Sequence, residues 1–387
     1  MKKSQSRILT THAGSLPRPL ALTDLYAKRA KGQSIDDAAL ATMVSTAVSQ
    51  IVPKQIEAGL DVVNNGEQSR EAFFLYVQHR MSGFEPGGTR QRWRDVTRYS
   101  QFYESRERAL KSRNVVSNMA PPKVTGEVSY LDPALIESEC LEFKQVLDTH
   151  RGDYAEAFMT APSPGIIASA IPNQHYDSFS SYLQAITNAL AHEYHYIVDK
   201  GFILQLDCPD LAMERHISFA DRPINDFIEF VEQIIDAING ALVSIPPEQV
   251  RLHVCWGNYE GPHDLDVPLD DILKPILDAR VGAFLFPLAN PRHAHEHRCF
   301  RGDLLRDDQL LIAGVIDTTT NYIEHPQVVA DRIVLAAQAI GNPQRGLAGT
   351  DCGFDTSAGM GRVSEDIVWA KLRVLHEGAA LATEQLF

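Results

Sequence analysis

The residues best suited to chemistry are a histidine and two cysteines near the ends of two apolar runs. His253 and Cys255 are separated by one residue, so on a β-strand their side chains point to the same face. Cys352, which follows a later apolar run, can supply a third ligand to an ion bound there. Mixed nitrogen and sulfur ligands suit Zn²⁺, and three protein ligands leave one position for a substrate. The alternative is that the cysteines are buried apolar filler.

The elements that must position these residues are short apolar runs alternating with longer helical patterns. This order predicts an α/β fold, a TIM-type (β/α)8 barrel, with a doubly wound open sheet as the alternative. The predicted strands are Ile8–His12, Asp61–Asn64, Glu156–Thr160, Phe202–Asp207, Arg251–Trp256, Ala283–Phe286, Leu310–Ile316 and Gly346–Asp351. The predicted helices are Ala38–Ala58, Phe179–Lys200, Pro223–Ile238, Leu269–Asp278, Pro326–Ile340 and Val363–Leu381.

We expect one barrel domain over residues 1–387, interrupted by an excursion near residues 84–129 that is rich in Arg, Gly and Pro. Long insertions in barrel loops are often functional, so this segment is expected to help cover the site. Polar residues also cluster where several predicted strands end, which is where barrel enzymes carry their chemistry. Helix caps and turns explain some of these residues, but not a histidine and two cysteines.

Composition excludes several classes of function. The formal net charge is −14, which disfavours nucleic acid as a partner. No stretch approaches the length of apolar sequence that a membrane helix needs, and the N-terminus lacks the apolar region of a secretory signal. The five cysteines are an odd number and scattered, as expected of a protein in a reducing compartment. We therefore expect a cytoplasmic protein without a membrane partner.

Seven ordered motifs give the chain a family resemblance. They are THAGSLPRP at 11–19, GLDVVNNGEQSR at 59–70, APSPGIIA at 161–168, ILQLDCPDLA at 203–212, RLHVCWGNYEGPH at 251–263, LANPRHAHEH at 288–297 and GLAGTDCGF at 346–354. With them the chain resembles the cobalamin-independent methionine synthase superfamily, specifically its single-barrel members. The resemblance implies a barrel, and a catalytic zinc held by His253, Cys255 and Cys352.

The resemblance also implies a thiol substrate, which in that family is homocysteine. Matching positions suggest that Ser15 and the Gly14 backbone bind its carboxylate, and that Glu67 and Asp207 bind its ammonium group. Hydroxyl and backbone donors suit a carboxylate, and two carboxylates can hold one cation. The alternatives are a helix N-cap for Ser15 and a solvated first-turn acid for Glu67.

Two departures from the family pattern bear on mechanism. The family has a glutamate ligand after the strand that matches Ala283–Phe286, and this chain has Pro287, which cannot bind metal. The family also has a histidine near the position of Thr318; here Asp317 is the candidate replacement as catalytic proton donor. Asp351, Cys208 or His293 could compensate for the missing fourth ligand. The run NPRHAHEH at 290–297 holds three histidines and is interpreted as a helix start beside the barrel mouth, with a separate metal site as the alternative.

The predicted function is therefore zinc-dependent alkyl transfer to a thiol, with methyl transfer to homocysteine or a related thiol as the first candidate. Its partners would be a small-molecule thiol and an alkyl donor, which could be a methylated folate, with a homo-oligomer left open. One alternative is epoxide opening by coenzyme M or a similar thiol. Another is a non-catalytic binding protein of the same fold, motivated by the missing glutamate and histidine.

Overall fold

The computed structural model describes residues 1–111, 113–302 and 304–387. Residue 112, inside the predicted excursion, is outside the described part of the chain. Across the described residues, an eight-stranded parallel sheet has the spatial order β1-β10-β9-β8-β7-β6-β5-β2. These strands are β1 (Leu9–Thr10), β2 (Val62–Val63), β5 (Glu156–Pro162), β6 (Ile203–Asp207), β7 (Val250–His253), β8 (Ala283–Pro287), β9 (Leu310–Ile316) and β10 (Gly346–Thr350).

The two edge strands β1 and β2 lie side by side, so the sheet is a nearly closed barrel. The amide of Asp61 donates to the carbonyl of Thr10 at 3.1 Å, and the Asp61 carboxylate accepts from the Thr10 amide at 2.8 Å. The predicted (β/α)8 barrel is confirmed.

Helices surround the strands, and apolar residues of both form the main buried cluster. The helices are α1 (Leu20–Ala30), α2 (Asp37–Glu57), α3 (Arg94–Thr97), α4 (Ser100–Lys111), α5 (Ala134–Asp148), α6 (Pro164–Ala170), α7 (Phe179–Asp199), α8 (Asp210–Met213), α9 (Ile224–Ala241), α10 (Leu269–Leu277), α11 (Pro326–Ala339) and α12 (Glu365–Leu386). In the part of the chain that is described, no helix is both long enough and apolar enough to cross a membrane.

The six predicted helices are present with shifted ends, and the prediction missed others, including α1 and α5. The predicted strand Arg251–Trp256 was too long, because β7 ends at His253. After Val254 the chain turns away through Gly257, which has φ +95°. Cys255 therefore lies just beyond the strand rather than in it.

Polar side chains fill part of the barrel interior directly beneath its carboxyl end. Parallel register pairs Gln205 of β6 with Arg251 of β7, and Asp207 with His253. The Arg251 guanidinium donates to Gln205 Oε1 at 2.8 Å, and Gln205 Nε2 donates to Asp207 Oδ1 at 2.7 Å. Arg251 also reaches Thr11 Oγ1 at 3.0 Å. Because these groups are buried, each hydrogen bond restricts its neighbour's orientation.

The excursion forms a cover over the barrel mouth, as expected. Its ends pair as the antiparallel strands β3 (Phe84–Glu85) and β4 (Lys123–Val124), with α3 and α4 between them. Asp95 of α3 accepts a 2.5 Å hydrogen bond from the hydroxyl of Tyr259, which follows β7. Arg90 pairs with the buried Glu214 at 3.1 Å. These contacts fix the excursion against the loops that follow β6 and β7.

A buried ion pair connects α12 to the loop after β9, and its removal should destabilise the fold. Lys371 Nζ lies 2.9 Å from Glu324 Oε2, with side chains 0% and 2% exposed. Lys371→Met leaves a buried carboxylate without its cation, so we expect urea denaturation to show a loss of about 3 to 5 kcal/mol.

The control is Lys54→Met, which breaks the exposed Lys54–Glu365 pair and should cost less than about 1 kcal/mol. Adding Glu324→Gln to Lys371→Met should recover part of the stability, because the unpaired charge is gone. Equal losses for the buried and exposed pairs would contradict the assignment of a buried charge at Glu324.

Candidate metal and substrate site

The candidate metal site begins with a histidine held by a carboxylate. His253 ends β7, and its Nδ1 lies 3.0 Å from Asp207 Oδ1 on the neighbouring strand. Asp207 accepts this bond, which leaves Nε2, 3.2 Å from the Asp351 carbonyl oxygen, as the nitrogen for a ligand role. Burial opposes charge on His253, but Cys255 and Asp207 outweigh it and raise the pKa of the imidazole to about 10. A carboxylate behind a ligating histidine is the usual second partner of protein metal sites.

Cys255 and Cys352 complete the group that the sequence predicted. The ligand atoms of His253, Cys255 and Cys352 all lie within 4.8 Å of one another, and all three residues are buried. A hydrogen bond from Cys352, together with the charge of His253, lowers the pKa of Cys255 well below the usual thiol value despite burial. One sulfur is thus set up as a thiolate, the form that binds metal. The structure brings the three predicted ligands together.

Glu67 lies in a turn whose backbone is constrained. Its φ is +55°, a conformation that is costly for a residue other than glycine. Arg18 holds that backbone by donating to the Glu67 carbonyl at 2.9 Å, and Thr160 donates to Oε1 at 2.9 Å. The other carboxylate oxygen, Oε2, is buried and has no hydrogen-bond partner among the described residues. Burial and then the charge of Asp207 raise the pKa of Glu67 to about 7.

The Gly14-Ser15 turn lies against Glu67 and the end of β10. A Cβ at Gly14 would come within 2.7 Å of Glu67 Oε1, and one at Gly353 within 2.0 Å of Ser15 Oγ. Glycine is therefore required at both positions for this close approach. The Ser15 hydroxyl is buried without a hydrogen-bond partner in the described part of the chain. The Gly14 amide, by contrast, already donates to His12 Nδ1 at 3.3 Å.

One cavity, with an empty volume of about 970 Å³, receives the side chains from these loops. Its lining includes Ser15, Glu67, Asp207, His253, Cys255 and Cys352. Gly14 does not line this cavity, but its turn supports Ser15 and Glu67. The structure therefore assembles the predicted metal ligands and three of the predicted substrate-binding residues at one surface.

The position of the missing glutamate lies beside the cysteines but offers no ligand. Pro287 ends β8 and lines a smaller cavity together with Cys255 and Cys352. The two oxygens of the Asp351 carboxylate accept from the backbone amides of residues 288–290 at 2.7 to 3.0 Å. Among the described residues, the group around these sulfurs therefore contains three ligands.

Asp317 lines the smaller cavity rather than the larger one. Its Oδ1 accepts from Thr319, and its Oδ2 accepts from Thr320, through both the amide and the hydroxyl in each case. The Asp317 amide donates to Glu324 Oε1 at 2.9 Å. The carboxylate is thus engaged within its own loop, which presents Thr318 and Thr319 to the larger cavity.

Sequence reasoning missed the cationic and aromatic part of the cavity wall. Arg90, Trp93 and Arg106 come from the excursion, and Arg362 and Tyr259 come from barrel loops. The Arg106 guanidinium lies over the Trp93 ring, 4.5 Å from its centroid, and the Nε atoms of Arg90 and Arg106 have no hydrogen-bond partner among residues described. The arginine-rich composition of the excursion was the available signal, but it did not indicate which arginines face inward.

Several known proteins are similar to this chain over most of its length. No protein-family model matches the chain. The uncharacterized protein YxjH of Bacillus subtilis is 26% identical over 380 residues, which cover 96% of this chain and 94% of that protein. A protein named methionine synthase from Sulfurisphaera tokodaii is 24% identical over 380 residues, covering 97% and 93% of the two chains.

A solved structure supports the fold. The B12-independent methionine synthase from Shewanella sp. W3-18-1, solved in complex with selenomethionine, superimposes with a TM-score of 0.72 at 20% sequence identity. The alignment covers 98% of this chain and 99% of that one. Over nearly its whole length, the chain is thus similar to proteins of the cobalamin-independent methionine synthase superfamily, which confirms the resemblance that its motifs carry.

Proposed function

We propose that the protein is a zinc-dependent alkyltransferase that acts on a small thiol, with methyl transfer to an amino-acid thiol such as homocysteine as its first candidate reaction. The proposal rests mainly on one observation. The side chains of His253, Cys255 and Cys352 meet in the cavity that Glu67 and Asp207 also line. Similarity to proteins named methionine synthase supports the same class of reaction.

The residues present fit a zinc ion. His253 keeps Nδ1 on a carboxylate and presents Nε2, and Cys255 favours the thiolate form. Two sulfurs and one nitrogen form a ligand set that zinc accepts while leaving a position for another sulfur. When bound, zinc would supply a Lewis acid that keeps a substrate thiol deprotonated near neutral pH.

The surrounding residues would orient the thiol. The unpartnered Ser15 hydroxyl can donate to a carboxylate, and the unpartnered Oε2 of Glu67 can accept from an ammonium group, both within the described structure. In the transfer, the thiol proton passes to bulk solvent, sulfur forms a bond to carbon, and the bond from carbon to the leaving group breaks with its electron pair staying on the leaving group. The hydrogen bonds of Asp317 favour a role in positioning Thr318 and Thr319 over its predicted role as the acid for the leaving group.

The second substrate would lie against the excursion. Arg90, Arg106 and Arg362 line the cavity with Trp93, and such a wall suits a flat donor that carries anionic groups. The carboxylates of a methylated folate have this chemistry.

Loss of a sulfur ligand should remove both metal and activity. We expect Cys255→Ser and Cys352→Ser each to lower the zinc content, measured by elemental analysis, and to abolish alkylation of a thiol, measured by mass spectrometry. Cys299→Ser is the matched control, because Cys299 is partly exposed outside the cavity and should leave both measurements unchanged.

A metal-free wild-type protein that takes up no added zinc would refute the zinc proposal. If that protein still binds thiols or alkyl donors without turnover, the binding-protein interpretation takes its place.

Glu67 should make thiol binding depend on pH. Its pKa of about 7 means that the carboxylate is charged above that pH and protonated below it. We therefore expect the KM for an amino-acid thiol to rise as the pH falls through 7. Glu67→Gln should raise KM about 10- to 100-fold at pH 8, as expected for loss of a charged hydrogen bond, and should flatten the pH profile.

The control substrate is 4-mercaptobutanoate, which lacks the amino group of homocysteine. Its KM should not respond to Glu67→Gln. An equal loss for both thiols would show that Glu67 does not bind the ammonium group.

A further inference from the structure

A second cluster of buried ligand side chains lies apart from the two cysteines. His263 Nδ1 and His293 Nε2 lie 2.8 and 2.9 Å from the same oxygen, Oδ2 of Asp266. One ligand atom from each of the three residues lies within 4.8 Å of the other two. Their side chains are at most 5% exposed. The proposed alkyl transfer does not use any of them.

The hydrogen bonds of the two imidazoles leave a conflict at Asp266 when both rings are neutral. His263 Nε2 lies 2.9 Å from the carbonyl oxygen of Tyr259, and His293 Nδ1 lies 2.8 Å from Glu296 Oε2. Both partners are acceptors, so these nitrogens carry the ring hydrogens. In a neutral imidazole the other nitrogen then directs a lone pair at the Asp266 carboxylate. A cation between the rings and the carboxylate removes that conflict.

The contacts that His263 and His293 make with their second ring nitrogens are those that metal-binding histidines usually make. A ligating imidazole commonly donates its second N–H to a backbone carbonyl or a carboxylate, which fixes the ring orientation. Tyr259 supplies the carbonyl for His263, and Glu296 supplies the carboxylate for His293.

His216 lies at the other oxygen of the same carboxylate, outside the group of three. Its Nδ1 lies 3.2 Å from Asp266 Oδ1, and the residue is 2% exposed. Within the described ranges, both nitrogens of His216 and Asp266 Oδ1 lack a hydrogen-bond partner. Unsatisfied buried groups of this kind are rare and call for an occupant.

We propose that His216, His263, Asp266 and His293 form a second metal site that binds a divalent first-row cation of the zinc class. His263, Asp266 and His293 already lie together, and His216 would close a set of three imidazoles and one carboxylate without sulfur, as in a structural site. The ligands follow β6, β7 and β8, so the ion would connect three loops of the barrel mouth. Trp256, next to Cys255, stacks on His293 with ring centroids 3.8 Å apart.

A metal-free arrangement competes with this proposal. Burial favours neutral rings, but hydrogen bonds to Asp266 and Glu296 outweigh it and raise the pKa of His293 to about 9. Two protonated imidazoles could then surround Asp266 without an ion. The two arrangements differ in metal content, which can be measured without any enzyme activity.

The test separates the two sites by their sulfur ligands. Cys255→Ser/Cys352→Ser removes both sulfurs of the first site and keeps all four ligands of the second. After treatment with a chelator, the full chain is titrated with Co²⁺. We expect this variant to bind one equivalent of Co²⁺ with visible d–d bands and without the thiolate-to-cobalt charge-transfer band. A second equivalent with that band in the wild type would report the first site separately.

Substitutions of the proposed ligands, made in the Cys255→Ser/Cys352→Ser variant, decide whether these residues bind the metal. His216→Leu removes a ring that makes no hydrogen bond within the described structure, and His293→Phe keeps a ring stacked on Trp256 but cannot bind metal. Each should weaken Co²⁺ binding at least about 10-fold, while His295→Leu, at an exposed position, should not. If His293→Phe fails to fold, as judged by circular dichroism, His216→Leu alone decides.

The proposal is overturned if the folded double-cysteine variant binds neither Co²⁺ nor Zn²⁺. It is also overturned if His216→Leu binds Co²⁺ as tightly as His295→Leu. Because the cysteines are absent from these variants, failure of the first zinc site would not affect either result.

Discussion

The structure depends on a buried hydrogen-bond chain that connects the barrel interior to His253, a proposed metal ligand. Arg251 donates to Gln205, Gln205 donates to Asp207, and Asp207 holds His253. The parallel register of β6 and β7 places these four residues as two cross-strand pairs. A carboxylate removed from water is costly unless its hydrogen bonds are made. The orientation of His253 is therefore set by strand pairing and not by the loops.

The remaining site residues lie in loops that approach one another closely, because glycines in these loops have no side chain to block the contact. Gly14 and Gly353 leave room for Glu67 and Ser15, respectively, and Arg18 stabilises the strained turn at Glu67. Strands thus supply the histidine and its carboxylate, whereas packed loops supply the two cysteines and the groups proposed to bind the substrate.

The predictable part of the structure was the part encoded by local pattern. Apolar runs and helical periodicity predicted the barrel, and the spacing of His253 and Cys255 with a later Cys352 predicted the ligand group. The second cluster could not be predicted, since His216, His263 and His293 lie in three separate loops whose approach depends on the packed barrel. Nothing in the sequence distinguished Asp266 from the many other acidic residues. The inward-facing arginines of the excursion were hidden for the same reason, because burial of a loop side chain is a tertiary property.

The arginine-lined wall of the cavity has a kinetic consequence. The chain carries a formal charge of −14, so its general surface repels anions. Arg106 brings positive charge into the mouth beside Arg90 and Arg362, which pair with Glu214 and Glu260. Such a contrast focuses the electric field and steers oppositely charged ligands toward a cleft. Anionic molecules would meet a repulsive exterior and a less repulsive mouth. The rate of their capture, and the selection among them, would then fall as ionic strength rises and the field is screened.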